Sequence, residues 1–426
     1  MTDNLISLLG IFVLLGLAWL MSNNRRLFPW RVVGWGIGLQ MILALILLKT
    51  PWGTAVFGAA RNFVTRLLGF TDAGTSLLWG NLFRTSEEIV AYTNPDAGYF
   101  QVTNSITGEL VPLGTVFVIH ILPTIIFFSS LMALLYHLGV MQKLIAGVAW
   151  IMRKTMGTSG SETLSCSANI FVGQTEAPFV IKPYLPTMTS SELMAVMVGG
   201  FATVAGGVMA AYVRFGIDAG HLLAASVMSA PAALVVAKIM YPETEESHTR
   251  GDVTLKIPRE YSNVLDAAAG GAGVGLRLAA NVGAMLLAFT ALVAMINYGM
   301  GFLGTSLQQV FGWVFSPIAW VMGVPWSEAS TFGNLLGTKI AVNEFLGYIE
   351  LGKATADGSL SPRSVVIGTY ALCGFANFSS IAIQIGGIGT IAPERRKDVA
   401  ALGLRAMFGG ALASWLTATI AGVLIG

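Results

Sequence analysis

Apolar runs separated by short polar segments recur along most of the chain. Those at about Leu5–Met21, Val32–Leu48, Leu110–Tyr136, Leu193–Val213, Leu222–Ala237, Leu278–Met300, Val365–Ile391 and Val399–Leu424 approach or exceed the roughly 20 residues needed to cross a hydrocarbon core. They predict eight spanning helices, some of them interrupted. Composition excludes a soluble globule: 54% of the 426 residues are hydrophobic and 11% charged, with mean hydropathy +0.71, against ~25% charge in ordinary soluble domains. Fifty glycines suit closely packed and broken membrane helices. A net charge of +2 gives no indication of nucleic-acid binding.

Charge sets the expected direction. Arg25, Arg26 and Arg31 follow the first span, Lys143, Arg153 and Lys154 the third, Lys238, Arg250, Lys256 and Arg259 the fifth, and Arg395, Arg396 and Lys397 the seventh. With alternating spans these loops share one side, the cytoplasm by the positive-inside rule, so both termini are expected outside. The start, Met1-Thr2-Asp3-Asn4, lacks the basic region of a signal peptide, so the first run is expected to stay as a span. The external segment from Pro51 to Glu109 carries Asp72, Glu87, Glu88 and Asp96, while Trp79, Phe83 and Tyr99 suggest interfacial helices. Between Met141 and Met156 an amphipathic pattern, with Leu144, Val148, Ile151 and Met152 as its apolar face, predicts a helix on the inner leaflet.

Two further segments are neither loop nor span. Ser161 to Pro186 is too polar to cross alone and too apolar for a solvated loop. A re-entrant hairpin of two half-length helices turning near Val172-Gly173-Gln174 reconciles the two, because irregular backbone is tolerated at membrane depth where it lines a cavity. Trp326 to Leu351 is the second such segment and should enter from the opposite face. After each comes a long span with a related centre, Gly200-Phe201-Ala202-Thr203 in the fourth and Gly374-Phe375-Ala376-Asn377 in the seventh. That is the pattern of an inverted repeat whose broken helices meet near the midplane around a substrate and ion site.

Ionisable residues inside a membrane mark function by default, which singles out Glu176 and Glu344. For Lys339 a structural ion pair or helix cap stands ahead of a binding role. Around the glutamates lie Asn169, Gln174, Thr175, Thr203, Asn377, Ser379 and Ser380, neutral donors and acceptors that suit a polyhydroxylated or amide-bearing solute. A carboxylate can accept both hydrogens of a vicinal diol. Cys166 and Cys373 form no disulfide framework, and His120, His137, His221 and His248 have no metal-ligand spacing; all are expected as packing or helix-end residues. An intramembrane enzyme using the paired carboxylates is the rival class, lacking a nucleophile–base pair or phosphate loop. A channel would normally repeat one filter motif around a ring, and the two hairpins differ.

At these residues the sequence resembles the concentrative nucleoside transporters, most closely sodium-coupled bacterial members. Gly173-Gln174-Thr175-Glu176-Ala177-Pro178, Asn343-Glu344-Phe345 and Gly374-Phe375-Ala376-Asn377-Phe378-Ser379-Ser380 stand in that family's order. The resemblance implies an all-α homotrimer with eight spans and two opposed re-entrant hairpins per protomer, plus interfacial helices, importing nucleosides with co-transported sodium by an elevator-like motion. It assigns Gln174, Thr175, Glu176 and Val208 to the nucleobase, Glu344, Asn377 and Ser380 to the ribose, and Phe375 to an apolar wall. Sodium would be held by the Asn169 side chain, the Val172 carbonyl, the Thr203 hydroxyl and the Val204 carbonyl. Some relatives have serine at the Thr203 position, so the added methyl bears on ion affinity. Proton coupling through Glu176 or Glu344 is the alternative. The expected organisation is scaffold spans and external segment over 1–109, one repeat over 110–245 with its hairpin near 160–186, a cytoplasmic connector over 246–277, and the second repeat over 278–426 with its hairpin near 326–351, in a bacterial inner membrane.

Overall fold

The computed structural model describes residues 2–83, 116–249 and 261–425. Glu87, Glu88, Asp96, Tyr99, Glu109, Arg250, Lys256, Arg259 and the first residues of the third apolar run lie outside them. Helix is the only repetitive backbone among the described residues. α1 (Thr2–Leu20) and α2 (Trp30–Lys49) are the first two spans. α3 (Pro51–Trp79) is one helix of 29 residues, started by Thr50, whose hydroxyl accepts from Gly53 N. The third span is α4 (Phe117–His120) and α5 (Leu122–His137), offset at Ile121 just before Pro123, a residue without the N–H that continuity needs.

α6 (Val140–Met156) is the amphipathic helix, but its packed face differs from expectation. Met141, Ile145, Met152 and Met156 are buried, while Leu144 and Ile151 are exposed. The apolar side of an interfacial helix has two neighbours, protein and lipid, and periodicity alone does not separate them.

The first hairpin has one regular arm, α7 (Gly160–Ala168), and a turn-rich return containing the four-residue α8 (Ala177–Val180) and a 3-10 turn at Leu185–Thr187. Two matching half-helices are not what forms. Pro178, Pro183 and Pro186 leave the return arm too few N–H groups for a helical ladder. The fourth span is α9 (Ser190–Ala202) and α10 (Gly206–Arg214), broken over residues 203–205, and the fifth is α11 (Ala219–Met240). Thr189 starts α9 with a reciprocal cap, its hydroxyl accepting from Glu192 N while Glu192 accepts from Thr189 N.

The second repeat runs in the same order. Its first span, α12 (Val264–Gly301), has 38 residues and begins well before Leu278 because Asn263 caps it through Asp266 N. α13 (Leu307–Val321), started by a Ser306/Gln309 capping box, was not foreseen; from it the chain turns through 116° into α14 (Trp326–Ala341). α14 and α15 (Glu344–Ala356) are the second hairpin, both arms helical, with the return reaching beyond Leu351. The seventh span is α16 (Pro362–Leu372) and α17 (Phe378–Ile391), and α18 (Arg396–Leu424) is the eighth.

Burial sorts these helices into an inner and an outer set. In the apolar windows of α9–α10, α11 and α18, 83%, 89% and 83% of residues are buried, against 28% for α1, 22% for α2, 22% for α4–α5 and 6% for α12. α18 packs on α9, α11, α16 and α17, and α12 packs along α5. The outer helices therefore present exposed Leu, Ile, Phe and Trp to hydrocarbon, where an apolar surface carries no hydration cost.

Candidate functional site

The two broken spans cross at their breaks. Gly374 has φ +113, and a Cβ there would lie 2.5 Å from the Phe201 carbonyl oxygen and 2.7 Å from Ala202 C. Glycine is needed both for that conformation and for the contact. The related Gly-Phe-Ala centres are thus pressed backbone to backbone, and helix ends that would be unsatisfied in lipid are paired locally. Lys339 Nζ donates to the Ala371 and Cys373 carbonyls at 2.9 and 3.2 Å, and Ser414 Oγ donates to Cys373 O at 2.5 Å. Lys339 is accordingly a cap on the end of α16.

Each hairpin brings its turn to this crossing. From the first, Gly206 N at the start of α10 donates to Phe171 O at 3.1 Å. The Gln174 amide donates to Ser380 Oγ at 3.1 Å, and Thr175 lies beside Gly387. At the second turn Asn343 caps α15 through Leu346 N at 3.0 Å, which fixes Glu344 in the first turn of that helix. The carboxylate of Glu344 accepts from Tyr212 Oη at 3.1 Å and from Asn377 Nδ2 at 3.0 Å. Asn377 in turn caps α17, its Oδ1 accepting from Ser380 N at 2.9 Å and Ser379 Oγ at 2.7 Å. One connected set therefore contains Gln174, Ser380, Asn377 and Glu344.

The other expected residues lie around it. Val208 is buried on α10, Phe375 is half-buried within the second break, and Thr175 is half-buried. Glu176 is exposed; it stands at the N-cap of α8, yet its side chain makes no capping bond. Glu176 is therefore not a cap on α8.

On the opposite side of the first break, Asn169 and Thr203 both approach Gly199. Asn169 Nδ2 would lie 3.5 Å from a Cβ there, and Thr203 Oγ1 donates to Gly199 O at 2.8 Å. Asn169 Nδ2 donates to Ser165 O at 3.1 Å, leaving a buried Oδ1 that accepts no hydrogen bond among the described residues. An unpartnered buried amide oxygen is costly unless something else binds it. Val172 and Val204 are buried in the adjoining turn and break.

Sequence reasoning missed two members. Tyr212 lies one helical turn after Val208, and its hydroxyl has no obvious partner until the fold brings Glu344 to it. Gln384 donates to Gln174 Oε1 at 3.1 Å and to Met197 O at 3.0 Å. A signal for Gln384 was present, since Asn377, Ser380 and Gln384 recur at the spacing of one helix face in an otherwise apolar segment.

Known proteins give this architecture a context. Residues 9–82 match the family model for the N-terminus of Na+ dependent nucleoside transporters, 118–219 the one described as nucleoside recognition, and 221–422 the one for the Na+ dependent nucleoside transporter C-terminus. An uncharacterized transporter of Haemophilus influenzae is 43% identical, covering 99% of this chain and 97% of its own length. Sodium/nucleoside cotransporter 1 of Rattus norvegicus is 41% identical across 99% of this chain, which spans 64% of that longer relative. Among solved structures, CNTnw in an inward-facing substrate-bound state is 44% identical, with TM-score 0.89 over 99% of both chains. A doubly substituted CNTnw in an outward-facing state, 42% identical, also gives 0.89, over 100% of this chain and 98% of that one. These relatives are transporters, not enzymes. With this agreement along its whole length, the chain belongs to the concentrative nucleoside transporter family, whose members are multi-pass, sodium-dependent membrane transporters.

Proposed function

We propose that this protein imports nucleosides across a bacterial inner membrane together with sodium, through an elevator-like displacement of the hairpins and broken spans against the outer helices. The observation carrying the reading is the meeting of both hairpin turns at the crossed breaks, with Gln174 bonded to Ser380 and Glu344 to Asn377. Glu344, Asn377 and Ser380 take the ribose hydroxyls. Gln174, Thr175 and Glu176 take the polar edge of the base, with Val208 against its face and Phe375 as an apolar wall. Uridine-like pyrimidine nucleosides, and adenosine, fit such a mixture of donors and acceptors.

Sodium is the second cargo. The Asn169 and Thr203 side chains and the Val172 and Val204 carbonyls form a set of neutral oxygens suited to a monovalent cation. The unpartnered Asn169 Oδ1 supports that placement over proton coupling, which needs no such oxygen. The first hairpin then opens from the cytoplasm and the second from outside, with both termini outside. The two repeats, expected over 110–245 and 278–426, are joined by a connector that ends at Asn263, where the sixth span begins. Three copies assemble around outer helices such as α12. Inward-facing and outward-facing forms of CNTnw support alternating access between the two sides.

Uptake of labelled uridine into proteoliposomes tests the reading. Concentrative uptake that requires sodium, with unmodified uridine recovered inside, is expected. Uptake that never exceeds equilibration would indicate a channel, and a sodium-independent gradient driven by pH would replace sodium with protons.

A further inference from the structure

Hydrogen-bond polarity in the first hairpin is set from outside the substrate contacts. Met197 O is a backbone carbonyl and can only accept, so the Gln384 atom 3.0 Å from it is its NH2 nitrogen. The same nitrogen lies 3.1 Å from Gln174, so Gln174 must face it with Oε1. Its own NH2 is thereby turned to Ser380 Oγ at 3.1 Å. Ser380 accepts that bond and keeps its hydroxyl hydrogen for another acceptor. The choice of which end of an amide faces a ligand is normally free; here a backbone carbonyl two residues removed decides it.

Packing holds the relay in place. Gln384 and Gln174 are 1% and 6% exposed, and a Cβ on Gly200 would lie 2.8 Å from Gln384 Nε2 and 2.9 Å from Gln174 Cβ. The first glycine of the Gly-Phe-Ala centre thus makes room for the amide pair.

We propose that Gln384 is a positioning residue for selectivity: it locks the Gln174 amide so that the first hairpin meets the nucleobase with an N–H donor, favouring bases that place a carbonyl oxygen or ring nitrogen there. This rests on the assignment of Gln174 to the base. Gln384 itself touches no substrate in this arrangement and acts through Gln174. Without it the Gln174 amide can turn over, and donor and acceptor bases are distinguished less well.

The test compares the binding of uridine, cytidine and adenosine to wild type, Gln384→Met, Gln174→Ala and the double variant, with 2′-deoxyuridine as a ribose control. Methionine keeps the length of the side chain and removes the donor. Gln384→Met is expected to change the ratios among bases by about three- to tenfold, the worth of one neutral hydrogen bond; any change passed on to the ribose through Ser380 Oγ alters the 2′-deoxy penalty, acts on all nucleosides alike and leaves the ratios untouched. In the Gln174→Ala background Gln384→Met should leave the ratios unaltered, because the residue it positions is gone. An equal loss for all bases, or the same ratio change in both backgrounds, overturns the proposal. Gln174→Ala leaving the wild-type ratios intact would overturn the base assignment itself, a different failure. If Gln384→Met does not fold, Gln384→Leu serves: it likewise offers no N–H to Gln174 or to Met197 O, and unchanged ratios in a folded Gln384→Leu protein also overturn the proposal.

Discussion

Replacing Glu344 by glutamine isolates the ribose contact with little change in shape. The carboxylate has about four lone-pair sites; Tyr212 Oη at 3.1 Å and Asn377 Nδ2 at 3.0 Å each approach one oxygen, and the residue's own backbone N–H also faces the carboxylate. Both oxygens keep acceptor capacity toward adjacent hydroxyls. Asn377 cannot reverse its amide, because Oδ1 is held by the backbone Ser380 N at 2.9 Å. A glutamine at position 344 must therefore point its oxygen at Asn377 and its NH2 at Tyr212, whose hydroxyl can rotate to accept. Both protein contacts survive, but one acceptor facing the diol is lost and the other loses its charge. A hydrogen bond to a charged group contributes roughly 1.5–3 kcal/mol, so Glu344→Gln should bind uridine about ten- to a hundredfold more weakly. Calorimetric titration of purified protein with uridine, 2′-deoxyuridine and 3′-deoxyuridine reads this directly. The deoxy penalties should shrink in the variant, since part of the interaction they report is already gone. Uridine affinity equal to wild type, or deoxy penalties of undiminished size, would refute the ribose assignment.

Three further substitutions probe the surrounding structure. Thr203→Val removes a hydroxyl at nearly constant volume and with it the donor to Gly199 O at 2.8 Å, so it should raise the sodium concentration for half-maximal uptake and lower the melting temperature modestly; equal uridine affinity in sodium, lithium or choline would sink the ion site altogether. Gly374→Ala places a methyl 2.5 Å from Phe201 O at φ +113, and the strain of about 1–3 kcal/mol should appear as a lower melting temperature in detergent; an unshifted melt contradicts the crossing of the breaks. Lys339→Met leaves two buried carbonyls without their donor, at a cost of about 1–3 kcal/mol, so stability should fall while the order of preference among nucleosides is kept. A change in that order would instead make Lys339 part of the recognition surface.

The eight spans, both hairpins and the repeat were legible because each rests on a periodicity or a charge asymmetry that the bilayer enforces. Local hydrogen-bond supply was harder to read. The return arm of the first hairpin looked apolar enough for a half-helix, yet Pro178, Pro183 and Pro186 reduce it to the four residues Ala177–Val180 and turns. α13 was missed although the repeat implied it: α6 precedes the first hairpin, so the second hairpin should have an amphipathic helix before it, and Leu307–Val321 is there. Tyr212 was beyond reach, because its importance arises from a pairing with Glu344 across 132 positions of sequence. For Lys339 a cap was the favoured reading, and only the helix end it serves, that of α16, depends on how far the second hairpin inserts.

The proposed cargo sites are close enough in covalent terms for coupling to follow from the backbone. Asn169 and Val172 precede Gln174, Thr175 and Glu176 in the same short turn, and Phe171 O, between Asn169 and Val172, accepts from Gly206 N at 3.1 Å. Thr203 and Val204 lie in the break of the same span, three residues beyond the Gly200 on which Gln174 and Gln384 pack. An ion that draws the turn and the break together therefore fixes the backbone from which the base contacts project. A nucleoside then binds residues that have already lost their freedom, and the ion in turn is held more tightly when the nucleoside orders the turn. Linkage requires the two effects to be equal, with a typical coupling of ~1–3 kcal/mol. Uridine affinity measured over a range of sodium concentrations, and sodium affinity with and without uridine, should therefore change by one common factor. A sodium dependence confined to transport rate, with binding unchanged, would mean that the ion acts on the displacement of the hairpins rather than on the site they enclose.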